Sequence, residues 1–300
     1  MIMIIMDYGI NGNEMDGGLK QNVLILETDK LLMKREEKYL SLNAKIRIAK
    51  TVIEDALENF NRSATVWSAG KDSTVVLSLV KDVFIKKNLN IPPAILIDHG
   101  QHYDETYEMV NKISKEWNFK VLYAKNDNFI RNVNEGKVLI DDLNEDNINE
   151  LDKINFDKNK KYMEYSLETF EGNHLLKTVP FNNIIKKYRF DALYTGVRWD
   201  ENEARSIETF ISRRDNPEHY RVQPIILFTE KNIWEYMFAK KLPIHPLYYQ
   251  GYRSIDGKYD SKKISDNPAW EQDLENTEER AGRAQDKEKM MERLREFGYM

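Results

Sequence analysis

The chain predicts an α/β fold: a doubly wound, mostly parallel sheet of five strands flanked by helices, with a helical extension at its C-terminal end. Three observations lead there. Short apolar runs of strand length alternate with longer amphipathic stretches, the pattern of strands joined by crossover helices. The β-prone run Ala64-Thr65-Val66-Trp67 passes through the small-residue turn SAGKDST, Ser68 to Thr74, straight into the helical run Val75–Val80. Pro92-Pro93 then breaks the chain just before the apolar run Ala94-Ile95-Leu96-Ile97, because proline cannot continue a helix.

The elements follow in order. Residues 1–40 form an N-terminal extension, residues 41–250 one α/β domain, and residues 251–300 a tail with a terminal helix. Residues 41–60 carry helical periodicity through Ile46, Ile48, Val52, Ile53, Ala56 and Leu57. A strand at 64–67 precedes a helix from Asp72 to Lys87; the strand 94–97 precedes a helix from Asp104 to Trp117; Lys120-Val121-Leu122-Tyr123 is the third strand. Residues 126–176 turn polar and are read as an insertion with a helix or two and a mobile segment, a lid over the domain. The sheet resumes after a helix Phe181–Tyr188 with Asp191-Ala192-Leu193-Tyr194-Thr195-Gly196. Arg221 to Ile225 reads as a last edge strand, since Pro224 cannot donate to an interior ladder. Glu230 to Lys241 is an amphipathic helix with Ile233, Trp234 and Met237 inward.

Composition bounds the function. A chain of 300 residues with 41% hydrophobic residues, 16 Tyr and 12 Phe can bury a large core. A net charge of −5 carries no basic signature, so nucleic acid is not expected as a partner. Cysteine is absent, which excludes disulfides, Cys-ligated iron–sulfur clusters and nucleophilic thiols built from this chain. The opening Met1-Ile2-Met3-Ile4-Ile5-Met6 stops at Asp7 without a basic flank, too short for a signal peptide. No run reaches the ~18 apolar residues a membrane span needs. A cytoplasmic enzyme is expected, with Met15 or Met33 as alternative starts.

Chemistry concentrates in the loop. A strand turning into a helix leaves backbone N–H groups pointing out of the helix start, an anion cradle suited to a triphosphate. The predicted cradle is Ser68, Ala69, Gly70, Lys71, Asp72, Ser73 and Thr74, with Lys71 read as an exposed charge that contributes little to folding and Asp72 as a Mg²⁺ ligand or helix cap. The spacing is neither G-x-x-x-x-G-K-[ST] nor G-x-G-x-x-G. It resembles the S-x-G-K-D-S loop of the PP-loop ATP pyrophosphatases, whose members cleave ATP between the α- and β-phosphates and share the adenine nucleotide alpha hydrolase-like fold.

Further segments carry the resemblance across most of residues 40–300. LIDHGQHYDETYEM at 96–109, RFDALYTGVRWDENEARS at 189–206, RVQPIILFTEKNIWEY at 221–236, LPIHPLYY at 242–249 and ERAGRAQDKEKMMERLREFGYM at 279–300 are similar to the sulfate adenylyltransferase subunit 2 family, kin of the 3′-phosphoadenylyl sulfate reductases. That resemblance implies an ATP-dependent nucleotidyltransferase that joins AMP to sulfate, with ATP and Mg²⁺ as cofactors and a GTPase subunit as partner; a homo-oligomer is the other assembly considered. The chain departs from the family at 250–260, where Tyr252 to Tyr259 lacks its Cys and Pro, and in the longer 126–176 insertion.

Adenylyl transfer must neutralise a leaving pyrophosphate and bring two anions together. Lys71 and the loop amides serve the first need, Asp72 contributes by holding Mg²⁺ directly or through water, and Arg198 and Arg205 supply planar forks for the oxyanion. Asp98, at a strand end, is placed to meet ribose or adenine, and Gly196, closing the fourth strand, joins the nucleotide-binding set. His99 and His102 lack a third strong ligand for zinc, and His245, between Pro243 and Pro246, reads as structural. Two rivals stand beside this reading: adenylylation of a carbonyl or amide oxygen, and a non-catalytic binder of adenylyl sulfate.

Overall fold

A computed structural model describes residues 39–157, 159–201, 205–277 and 279. Helix α1 (Leu42–Asn59) starts at Ser41, whose hydroxyl accepts from the Ala44 amide, and buries Ala49, Val52, Ile53 and Ala56 on one face. The chain then runs β1 (Ser63–Val66), α2 (Lys71–Lys86), β2 (Ala94–Ile97), α3 (Asp104–Glu116) and β3 (Val121–Ala124). After an inserted unit come β6 (Ala192–Tyr194), β7 (Ile211–Asp215), β8 (Glu218–Val222), α8 (Glu230–Ala239) and the short α9 (Pro246–Tyr249).

The main sheet has six strands in the order β3-β2-β1-β6-β8-β7. All neighbouring pairs are parallel except β7–β8. The strands alternate between two cores, as the two-residue period of a strand requires. Ala94 and Leu96 of β2 pack with Val110 and Ile113 of α3. Ile95 packs with Phe181 and Ile185 on the opposite face. In β6, Ala192 and Tyr194 face α1, α2 and α8 while Leu193 turns to the other layer.

The predicted fold class therefore holds, but the far edge differs from expectation. β8 stops at Val222, pairs with β6 on one side and β7 on the other, and so is interior; Pro224 lies beyond it. The edge is β7, a hairpin partner that was not predicted. Its residues Ile211-Ser212-Arg213-Arg214-Asp215 present no fully buried side chain, so they carry no apolar alternation from which to read a strand.

The insertion is a packed unit. It contains α4 (Asp127–Arg131), a two-stranded antiparallel sheet of β4 (Lys137–Leu139) and β5 (Tyr162–Glu164), and α5 (Glu145–Lys153). Phe129, Val138, Leu151, Met163, Leu167 and Leu175 form a core of its own. From it, α6 (Phe170–Asn173) runs through a π-helical turn, His174–Thr178, into α7 (Val179–Tyr188). The helix expected from Phe181 thus begins well upstream. No helix among the described residues is long and apolar enough to cross a membrane. Of the predicted extensions, residues 1–38 and the terminal helix beyond Glu279 lie outside the described residues.

This topology places the site. The chain builds outward from β1 to β3, then returns to lay β6 on the other side of β1. Between β1 and β6 the winding reverses, and a crevice opens at the carboxyl ends of these strands. Residues 67–70 leave β1 there, and residues 195–198 leave β6.

Candidate active site at the carboxyl edge of the sheet

The loop after β1 is held by its own side chains. Trp67 is fully buried and its indole N–H donates to Thr74 Oγ1 at 3.0 Å. The Ser68 amide donates to Ser73 Oγ (3.2 Å), whose hydroxyl in turn donates to the Gly70 carbonyl (3.1 Å). Ser73 and Thr74 therefore shape the turn. The position that needs unusual backbone is Ala69, at φ 60°; Gly70 is extended, as the residue before the helix. Gly196 fits for a different reason: a Cβ there would lie 2.9 Å from the Ser73 nitrogen and 3.0 Å from the Asp72 carbonyl carbon. Only glycine lets the end of β6 press against the start of α2.

Lys71 overturns its expectation. It is 1% exposed, not a free loop cation, because the tail and α8 fold over it. Its ammonium donates to Glu279 Oε1 at 2.6 Å and to the Arg253 carbonyl at 3.0 Å, with Glu230 Oε1 at 3.5 Å and Asp72 Oδ2 at 3.8 Å. Its amide donates to the Tyr248 hydroxyl at 2.9 Å. Burial works to lower the Lys71 pKa, but Glu279 and Glu230 outweigh it and hold the pKa above its ordinary value.

Arg198 joins Lys71 from the β6 side and is equally buried. Its Nη1 donates to Asp72 Oδ1, its Nε to Asp200 Oδ1 at 2.8 Å, and its Nη2 to Glu279 Oε2 at 2.5 Å. The two oxygens of one carboxylate, Glu279, thus bridge the lysine of the loop and the arginine of β6. Burial would raise the Glu279 pKa, yet Lys71 and Arg198 drive it well below the carboxylate range. Glu230, the first residue of α8, gives its other oxygen to Arg253 Nε and Nη2 at 2.9 and 2.7 Å. Arg253 Nη1 then reaches the Asp273 carbonyl (3.2 Å) and Thr277 Oγ1 (2.5 Å), pinning the tail.

Asp72 does not cap its helix, since the turn before it makes no side-chain cap bond. It sits in the first turn of α2, where its charge favours the positive helix end, and pairs with Arg198. Arg205 is buried as well, with its Nε 3.6 Å from Glu201 Oε2. The structure therefore gathers Lys71, Asp72 and Arg198 into one network.

A second cluster lies at the end of β2. Asp98 is buried and accepts from the Tyr107 hydroxyl at 2.6 Å and the Gly100 amide at 3.0 Å, with Lys125 Nζ 3.6 Å away. Burial alone would raise its pKa, but these donors hold it below the ordinary value. The His99 and His102 rings lie with centroids 3.9 Å apart and planes tilted by 39°, and His102 Nε2 lies 2.9 Å from the Ile97 carbonyl. Burial lowers the His99 pKa to about 4, despite Asp256 Oδ1 at 3.5 Å. Among the described residues no group of three His, Asp or Glu side chains is arranged to hold a metal ion. Lys177, in the π turn between α6 and α7, donates to both oxygens of Asp256 at 2.8 and 2.7 Å. His245 is buried, accepts from the Leu247 amide and lies 3.0 Å from Thr106 Oγ1.

Sequence reasoning missed Tyr248, Glu230, Arg253, Lys177, Asp256 and Glu279 as members of these clusters. Glu279 opens the segment ERAGRAQDKEKMMERLREFGYM, and Glu230 and Tyr248 also lie in segments that carry the resemblance, but nothing in those segments singles out these side chains.

A small-residue turn at a sheet switch point, a buried lysine and arginine converging on one carboxylate, and acidic residues around them define the class: an α/β protein with a buried ion-pair network at the carboxyl edge of its parallel strands. The phosphoadenosine phosphosulfate reductase domain matches residues 62–263, and the chain belongs to that family. It is 26% identical over 220 residues to sulfate adenylyltransferase subunit 2 of Serratia proteamaculans, covering 66% of this chain and 63% of the relative. It is 26% identical over 232 residues to the protein of that name from Buchnera aphidicola, covering 68% and 66%. The chain thus spans somewhat less than two thirds of the length of these relatives. Among solved structures, Candida glabrata FMN adenylyltransferase aligns at a TM-score of 0.57 with 15% identity, covering 85% of this chain and 94% of that one. A phosphoadenylyl-sulfate reductase from Candida auris aligns at 0.51 with 16% identity, covering 80% and 99%. These two likenesses establish the fold.

Proposed function

We propose that the chain cleaves ATP between the α- and β-phosphates and transfers AMP to a small oxyanion, sulfate being the favoured acceptor: ATP plus sulfate gives adenylyl sulfate and pyrophosphate. One observation carries the reading, the convergence of Lys71 and Arg198 on a single pair of anionic oxygens at the switch point of the sheet. An oxygen of the acceptor attacks the α-phosphorus, the bond to the bridging α–β oxygen breaks, and pyrophosphate leaves with the electron pair. Lys71 and Arg198 would stabilise the charge that grows on the leaving group. Both are already desolvated, so their attraction for phosphate is screened less than at an open surface.

Mg²⁺ suits this chemistry with one carboxylate, because it takes its remaining oxygens from phosphates and water; Asp72, one-fifth exposed and in the first turn of α2, is the residue that fits. Its supply of charge neutralisation would add to that of the two cations.

The relatives named as subunit 2 support a larger partner subunit, and formation of adenylyl sulfate is uphill enough to need coupling. A second reading is favoured by Asp256. Its carboxylate compensates Lys177 beside His99, which suits an uncharged oxygen as acceptor better than a dianion.

The test is pyrophosphate release from Mg·ATP, with pyrophosphatase present, against a panel of sulfate, selenate, molybdate and carbonyl acceptors. Release that requires sulfate or its analogues supports the leading reading. Release that ignores them and follows a carbonyl or amide acceptor replaces it with the second. Tight adenylyl sulfate binding without any release points to a binder.

A further inference from the structure

Lys71 has two kinds of acceptor. Glu230 and the Arg253 carbonyl belong to a rigid frame: Glu230 opens α8 behind the Thr229–Asn232 capping box, and Arg253 clasps its second oxygen twice. Glu230 Oε1 is buried and has no hydrogen-bond partner among the described residues; at 3.5 Å from the Lys71 ammonium it acts on that charge without holding it. Glu279 is different. It lies outside any helix or strand, two residues past Thr277, which Arg253 Nη1 holds.

The shape of the Glu279 contact is that of a bound anion. One oxygen takes Lys71, the other takes Arg198, the way two non-bridging oxygens of a phosphate engage a lysine and an arginine fork. The nearest loop amide, that of Lys71, is likewise occupied by an internal acceptor, the Tyr248 hydroxyl. Glu279 takes the position between the two cations that a phosphate would need, and without it Lys71 keeps only the more distant Glu230 and Asp72 while Arg198 Nη2 loses its acceptor, which is costly for buried charges.

We propose that Glu279 is an exchangeable occupant of the anion site, a tail carboxylate that keeps Lys71 and Arg198 paired and that the β- or γ-phosphate of the nucleotide displaces. Glu230 is the permanent partner and positions Lys71 in both states. The inference rests on the reading of Lys71 and Arg198 as phosphate ligands and adds the competition to it. The tail is thereby linked to the nucleotide: each molecule of ATP or pyrophosphate that binds releases Glu279, and each release of product lets it return.

The test uses the full chain and two probes, inorganic pyrophosphate and Mg·ATP, by calorimetry. Glu279→Gln keeps the side-chain shape but removes the competing charge, so both probes should bind about tenfold tighter, the scale of one charge-assisted contact. Glu230→Gln should weaken both by a similar factor. Loss of Glu279 can also unsettle the fold, so displacement is read in the otherwise wild-type chain too. The natural sequence has no cysteine, and Glu275 is exposed; a fluorophore on Glu275→Cys should change emission saturably as pyrophosphate binds. Wild-type binding with no gain in Glu279→Gln and no emission change overturns the exchange while leaving the nucleotide reading standing. Failure of wild type and Glu279→Gln alike to bind either probe overturns both.

Discussion

The loop at 68–74 and the tail at 251–279 meet at the same two cations, yet they contribute in opposite ways. The loop is local: Trp67, Ser68, Ser73 and Thr74 tie it together within a few residues, and its form follows from its own sequence. The tail is remote: Glu279 and Arg253 reach Lys71 across 208 and 182 positions of chain. The difference teaches that the shape of the loop is written in its own sequence, whereas the burial and pairing of its lysine depend on residues far away in the chain. Breaking either side should have distinct consequences.

The largest expected effect follows from the burial of Lys71. Lys71→Ala leaves Glu279 with Arg198 alone and takes the neighbouring charge from Glu230, and removing one partner of a buried ion pair costs about 3–5 kcal/mol. Chemical denaturation should show that loss, together with loss of ATP-dependent pyrophosphate release. A variant as stable as wild type would mean that the tail does not cover the loop in solution.

Arg198→Lys comes next. It keeps the charge but loses the fork that spans Asp72, Asp200 and Glu279. Steady-state kinetics should give a fall in kcat/KM for ATP of about 100-fold, the scale of losing one donor to a developing oxyanion. The sequence alone pointed to the acceptor oxyanion as the ligand of Arg198. Its contact with Glu279 beside Lys71 moves the expected defect to ATP.

How much of this was legible can be read from particular residues. The parallel sheet with its crossover helices and the loop were visible because β1, β2 and the Val75–Val80 run of α2 are short β-prone or apolar runs with clear boundaries, whereas the strand order and its switch point came from the structure. β7 was not visible, since it carries polar residues on both faces, Arg213 exposed and Arg214 turned to the buried carboxylate of Glu208, and leaves no apolar alternation to detect. Pro224 pointed to an edge strand, but the strand ends at Val222 before the proline matters. Glu230 looked like an ordinary first-turn acid, and nothing near it in sequence reveals that Arg253 and Lys71 fold against it. Residue type and local period report on neighbours along the chain; ion pairs between distant segments leave no local trace.

The insertion allows a smaller test of the contrast, because its ion pairs are local. Glu150 accepts from His174 at 3.2 Å and from Lys153 at 2.5 Å. The His174 contact is the main cause, and with Lys153 it overcomes burial to bring the Glu150 pKa to about 2 from 4.5. A depressed carboxylate stabilises above its unfolded pKa and ceases to as pH falls through its folded one. Glu150→Gln should therefore be less stable than wild type at pH 7, by less than half the loss in Lys71→Ala, and the gap should close between pH 4.5 and about 2. Urea titrations across that range measure it.

The smallest effect concerns the seam between insertion and site. Tyr165 donates to the His99 carbonyl at 2.8 Å, and Gln101 Nε2 donates to the Tyr165 carbonyl at 3.0 Å. Tyr165→Phe removes the first of these and should cost about 1 kcal/mol, with ATP affinity unchanged. A marked change in affinity would place the insertion in the nucleotide site itself.

The measurement that tests the central claim most directly is phosphorus NMR of ATP turned over by the full chain with Mg²⁺ and the acceptor panel. Cleavage at the site of Lys71 and Arg198 predicts pyrophosphate and an adenylylated acceptor, both lost in Lys71→Met. Orthophosphate with ADP, or ATP left intact with every acceptor tried, would contradict it.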